Sequence, residues 1–153
     1  TSIGSLVSKK FKLDFYDTDQ LIEKKFNTKI SKIFQDKGEK FFRDLEEKIT
    51  LQILRNRNIV VALGGGTFLN KKIRNEILKN HNSIWLDWDT ETLLKRIQNN
   101  PKRPIAFNST SSELSNLIKK RANIYSKALY VIKCNNLTKK QIVDEIVKIY
   151  ETN

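Results

Sequence analysis

The chain has 153 residues, the size of one ordinary domain, and its hydrophobic content of 39% supports one modest core. Its net charge of +12 is mostly lysine spread between glutamates along helix-like segments, which speaks against a nucleic-acid stripe and for attraction to small anions. No apolar run is long enough to span a membrane, no secretory signal is visible, and the single cysteine, Cys134, excludes an internal disulfide, so a cytoplasmic protein is expected.

Ile3, Leu6, Val7 and Phe11 recur at helical spacing, so the chain opens in a helix or at its first turn. Leu13 to Asp17 reads as a short strand, and Thr18 to Phe26 as a helix with Leu21, Ile22 and Phe26 on one face. A second short helix carries Ile30, Ile33 and Phe34 and ends near Gly38. A long helix follows from Glu39 to Asn56, with Phe42, Leu45, Ile49, Ile53 and Leu54 inward.

The run 58–63 is almost continuously apolar, as a strand covered on both faces would be, and it ends in Gly64, Gly65 and Gly66. Asn70 is placed to cap a helix reaching about Lys79. Ser83 to Trp88 reads as a strand and Thr90 to Gln98 as a helix. The stretch 99–112 holds both prolines and several small polar residues and reads as a mobile loop. Glu113 to Lys127 is a helix, Leu129 to Ile132 a strand, and Thr138 caps a last helix to about Tyr150. Strands that alternate with helices predict an α/β fold built on parallel strands with helices on both faces, in one domain over 1–153. Ligands in such folds bind beyond the carboxyl ends of the strands, where Asp17, Asp19, the three glycines and Asp87 fall.

Residues two apart on an extended chain point the same way, so Asp17 and Asp19 are expected to converge on a hard cation, on a hydroxyl to be deprotonated, or on both. The plainer reading is that Thr18 or Asp19 caps the next helix. Three glycines in a row allow close backbone approach to a ligand, although a tight turn alone would use one of them. Arg43 sits among bulky apolar neighbours and needs an anionic partner: Glu46, an Asp17 or Asp19 carboxylate, or a substrate anion. Arg103, before Pro104, is either a solvated loop charge or a cation that a closing loop brings to a phosphoryl group. Arg121 is placed for a second anion clamp. His81 lies in a polar turn and reads as solvated, and Cys134 has no partner at zinc spacing.

Taken together, these pieces resemble the shikimate kinases, small enzymes of the P-loop, nucleoside monophosphate kinase-like fold. The resemblance rests on Asp17-Thr18-Asp19, Phe34 with Gly38 and Glu39, the run Phe42 to Glu46, Leu63 to Gly66, Trp85-Leu86-Asp87, Arg103-Pro104-Ile105, and Arg121 four residues before Tyr125. It implies transfer of the ATP γ-phosphate to the 3-hydroxyl of shikimate, with Mg2+, in a monomer that binds neither nucleic acid nor membrane. By this resemblance Asp19 is the base and, with Arg43, Gly65, Gly66 and Arg121, holds shikimate. Asp17 and Thr1 lie on the magnesium side, Thr1 and Ser2 at the phosphates, Arg96 near adenine, and Arg103 on a lid of about 101–113. Residues of about 18–56 form the substrate-binding helical part.

Thr1-Ser2-Ile3-Gly4 matches only the tail of the family's phosphate loop. The resemblance therefore implies that the central first strand and the loop lysine are missing from this stretch, which would be inactive alone. Two other readings stand beside the first: a related small-molecule kinase, such as one for gluconate, and a non-catalytic remnant that binds shikimate.

Overall fold

The computed structural model describes residues 1–98 and 110–152. Its elements run α1 (Ser2–Phe11), β1 (Asp14–Asp17), α2 (Thr18–Phe26), α3 (Ile30–Ile53), β2 (Ile59–Ala62), α4 (Lys71–Asn80), β3 (Ile84–Asp87), α5 (Thr90–Gln98), α6 (Ser111–Tyr125), β4 (Tyr130–Lys133) and α7 (Lys139–Glu151), with a 3-10 turn at Thr67–Leu69. The expected α/β class holds, and all strand pairing is parallel. It is divided into two pairs: β1 with β2, Asp14 opposite Ile59 and Asp17 opposite Ala62, and β3 with β4, Ile84 opposite Tyr130 and Asp87 opposite Lys133. Residues of β2 and β3 line one cleft of about 1790 Å³ between the pairs.

Alternation along β2 explains the layering. Val60 packs with Ile3, Phe11, Ile84 and Leu86 against the buried side chains of α1 and α7, including Val7, Ile142 and Ile146. Its neighbours Ile59 and Val61 pack on the opposite face, against Ile22, Ile33, Phe42, Ile49 and Ile53 of α2 and α3. A third cluster, Leu54, Phe68, Ile73 and Ile77, lies under the segment that follows the glycines.

Element ends follow local chemistry. Lys12 and Asn27, at φ 55° and 47°, turn the chain left-handed after α1 and α2. The Asn70 side chain accepts from the amides of Lys72 and Ile73, as its sequence position suggests. Gly38, at φ 79° and ψ 167°, breaks α3, so the expected short and long helices meet at this residue with no loop between them. Helix α6 begins at Ser111, two residues earlier than its apolar pattern indicates, because Thr110 and Glu113 form a reciprocal capping box. His81 is not simply solvated: its side chain is 25% exposed and lies 4.0 Å from Glu76.

Candidate active site

The site is built at the carboxyl ends of β1 and β2. Asp17 ends β1 and caps α2 by accepting a hydrogen bond from the Gln20 amide at 3.0 Å. The cap starts the helix at Thr18, so Asp19 lies in a helical first turn and does not share an extended alternation with Asp17. The two carboxylates consequently face different neighbours. Asp17 Oδ2 accepts from the Thr1 hydroxyl, whereas Asp19 Oδ1 lies so close over Gly64 that a β-carbon there would overlap it. Neither Thr18 nor Asp19 is the cap. Thr18 is fully buried and accepts from the Gly64 amide at 2.9 Å, which joins the start of α2 to the start of the glycine run.

Each of the three glycines meets a different functional side chain. Gly64 faces Asp19. A β-carbon on Gly65 would lie 3.6 Å from Nη1 of Arg121, and one on Gly66 would overlap Nη1 of Arg43 and lie 2.9 Å from its Cζ. One acid and two guanidinium groups, on α2, α6 and α3, thus converge on one run of bare backbone. The Gly65 carbonyl in turn accepts from the Tyr125 hydroxyl, one turn beyond Arg121 on α6.

Arg43 is held from two sides. Its Nη1 bonds Glu46 at 2.8 Å, while its Nε and Nη2 both approach Glu39 Oε1 at 3.3 Å. Of the partners left open by the sequence, Glu46 is the one found. Glu46 is only 2% exposed and also accepts from the Thr67 hydroxyl at 2.7 Å, so one buried carboxylate ties Arg43 to the turn after the glycines. Arg43 also lies 5.2 Å from the Phe42 ring and 5.8 Å from that of Phe34. Arg121 is less committed, and its buried Nε has no hydrogen-bond partner among the described residues. Both arginines line a cavity of about 440 Å³ with Gly66, Leu69, Leu117 and Glu39, a size that suits a small molecule.

The other expected residues surround this cavity or lie beyond it. Thr1 and Ser2 form the start of α1, where Thr1 is the N-cap and directs its hydroxyl to Asp17 instead of to a helix amide. The Thr1 and Asp17 oxygens are hard donors of the kind magnesium takes together with phosphate oxygens and water. Arg96 stacks on Trp88 with its Cζ 3.7 Å from a ring centroid, which leaves a flat cationic shelf beyond the end of β3. Asp87, at that strand end, pairs with Lys133. Arg103 lies outside the described residues, as does most of the expected lid.

Several contributors are not evident in the sequence. Thr18 and Thr67 are small buried residues, and their roles depend on pairing between segments 46 and 21 residues apart. Glu39 looks like a surface acid, and its part in the site is that it lies one turn before Arg43 on the same helix and meets its guanidinium. Tyr125 lies at helical spacing from Arg121, yet its target, the Gly65 carbonyl, is visible only in three dimensions.

A family model described as shikimate kinase matches residues 1–151. The chain is 39% identical over 150 residues to the shikimate kinase of Bacillus subtilis, covering 97% of this chain and 81% of that protein. It is 35% identical over 147 residues to that of Bartonella henselae, covering 95% and 70%. Among solved structures, the shikimate kinase of Aquifex aeolicus superposes with a TM-score of 0.88 at 30% identity, over 99% of this chain and 89% of that one. The enzyme of Acinetobacter baumannii in complex with shikimate gives a TM-score of 0.92 at 24% identity, covering 99% and 86%, and shares the fold.

Proposed function

The chain belongs to the shikimate kinase family, whose members phosphorylate shikimate with ATP, and we propose that shikimate occupies the cavity at the three glycines with Asp19 as its base. One observation carries this reading: three successive glycines face Asp19, Arg121 and Arg43. A cyclic carboxylic acid with several hydroxyls suits that arrangement. Its carboxylate lies between Arg43 and Arg121, and its ring lies over glycine backbone that no β-carbon blocks. Helix α3, within residues 18–56, supplies Glu39, Arg43 and Glu46 to the wall.

Asp19 then faces the 3-hydroxyl and takes its proton. The hydroxyl oxygen forms a bond to the γ-phosphorus of ATP, and the bond from phosphorus to the ADP oxygen breaks. The amides at the start of α1 and the Thr1 and Ser2 hydroxyls lie on the phosphate side, where a helix N-terminus attracts anions. Thr1 and Asp17 would hold magnesium, which would offset phosphate charge. The adenine lies by the Arg96–Trp88 stack, and Arg103, outside the described residues, is the residue that the family likeness assigns to the phosphates. A cytoplasmic monomer is what the likeness to the family implies; among the described residues no helix is long and apolar enough to cross a membrane.

The deciding assay measures ADP release by the protein carrying an intact phosphate loop, with shikimate and with gluconate as acceptors. Turnover with shikimate, and none with gluconate, is the expected result. A preference for gluconate would assign the cavity to another acceptor, and binding of shikimate without turnover would leave a binding remnant.

A further inference from the structure

The charges that face the anion cavity nearly cancel before any ligand arrives. Arg43 and Arg121 bring two positive charges, and Glu46 and Glu39 bring two negative ones. The two acids are not equivalent. Glu46 is buried and engaged by both Arg43 and Thr67, so it belongs to the framework. Glu39 has a side chain that is 63% exposed, at the start of the helical segment after Gly38, and one of its oxygens spans Nε and Nη2 of Arg43.

A guanidinium has five N–H donors. Glu39 takes the Nε–H and one on Nη2, and Glu46 takes one on Nη1, which leaves one donor on each terminal nitrogen. An incoming carboxylate meets those two donors and Arg121, but the two acids, both on the Arg43 side, already offset the two positive charges of the cavity. One negative charge still finds a direct partner in Arg121, whose buried Nε has no hydrogen-bond partner among the described residues. A second meets no further cation among the residues that line the cavity and lies near the Glu39 carboxylate.

We propose that Glu39 is the charge filter of this site: it keeps the cavity selective for singly charged carboxylates and turns away ligands that bring two negative charges. The inference rests on the reading of the cavity as the shikimate carboxylate site. It gives Glu39 a task beyond holding the Arg43 side chain, since a purely positioning acid would affect all anions alike.

The test compares wild type with Glu39→Gln and Glu39→Asp at constant ionic strength. Shikimate affinity is measured by calorimetry, and sulfate, a dianion of fixed charge, is titrated as a competitor of shikimate. In Glu39→Gln, sulfate should displace shikimate at about tenfold lower concentration, the effect of one charge a few ångströms away in a partly solvated site, with shikimate affinity changed less than threefold. Glu39→Asp, which keeps the charge, should retain the wild-type ratio of the two affinities. If shikimate binds wild type and the ratio stays put in Glu39→Gln, or both anions weaken together, the filter is overturned while the pocket assignment stands. If wild type binds no shikimate, the pocket assignment fails and the filter with it.

Discussion

Glu46 and Thr67 share a 2.7 Å hydrogen bond between side chains that are 2% and 0% exposed, and this bond fastens α3 to the turn that follows the glycines. The same carboxylate holds Arg43 at 2.8 Å. Glu46→Gln keeps an acceptor for Thr67 but removes the charge that pairs with Arg43. Stability should fall by about 1.5–3 kcal/mol, the range for a hydrogen bond to a charged group. KM for shikimate should rise more than kcat falls, because the proposed binding mode sets Arg43 against the acid and not the reacting oxygen. Urea titration and steady-state kinetics check both.

Gly66→Ala sets a methyl group where the Arg43 guanidinium now lies. The arginine must move, so shikimate binding should weaken at least tenfold, with ATP binding in the absence of shikimate unchanged. Gly65→Ala is the control: its β-carbon would lie 3.6 Å from Arg121, an ordinary contact, and the loss should be smaller. Calorimetry on the two variants orders them.

Thr110 and Glu113 cap α6, the helix that carries Arg121 and Tyr125. Hydrogen bonds from the Thr110 amide and hydroxyl hold the Glu113 carboxyl below its usual range. A carboxylate depressed in the folded state contributes stability that is complete above its unfolded pKa and lost as pH falls through the lower folded value. Thr110→Ala should therefore cost about 1 kcal/mol at neutral pH and less below the ordinary glutamate range. Thermal melts at pH 7 and pH 3 measure the difference.

Cys134 is fully buried, and burial, with the Asp87 charge nearby, pushes its thiol up from the ordinary value. At pH 7–8 it stays protonated and shielded, so iodoacetamide should label it only at the rate at which the fold opens. Labelling followed with and without denaturant checks this. Rapid labelling of the native protein would contradict the packing of β4 against α7.

Much of this site was legible in the residues themselves. The apolar run of β2, the triple glycine and the carboxylates after β1 already placed a ligand at the strand ends. Asp17 and Asp19 show where pattern alone stops. Alternation put them on one side, but the cap at Asp17 started a helix at once and sent them to different neighbours. The anchor of Arg43 was visible in part, because Glu46 lies three residues on, one turn of helix away. Glu39 lies four residues before Arg43 on the helix already expected, so helical spacing alone allowed their pairing, whereas Thr18 and Thr67 were hidden by the long-range pairing that gives small polar residues their partners.

The central claim is that Asp19, over Gly64, addresses the reacting hydroxyl while the two arginines hold the acid. Asp19→Asn keeps the shape and removes the base. Comparison of kcat and shikimate affinity in wild type and this variant tests the claim most directly. A loss of about 10²–10⁴ in kcat, the usual contribution of a general base, with shikimate binding weakened but still measurable, is the expected result. Turnover at the wild-type rate would remove Asp19 from the chemistry and contradict the account.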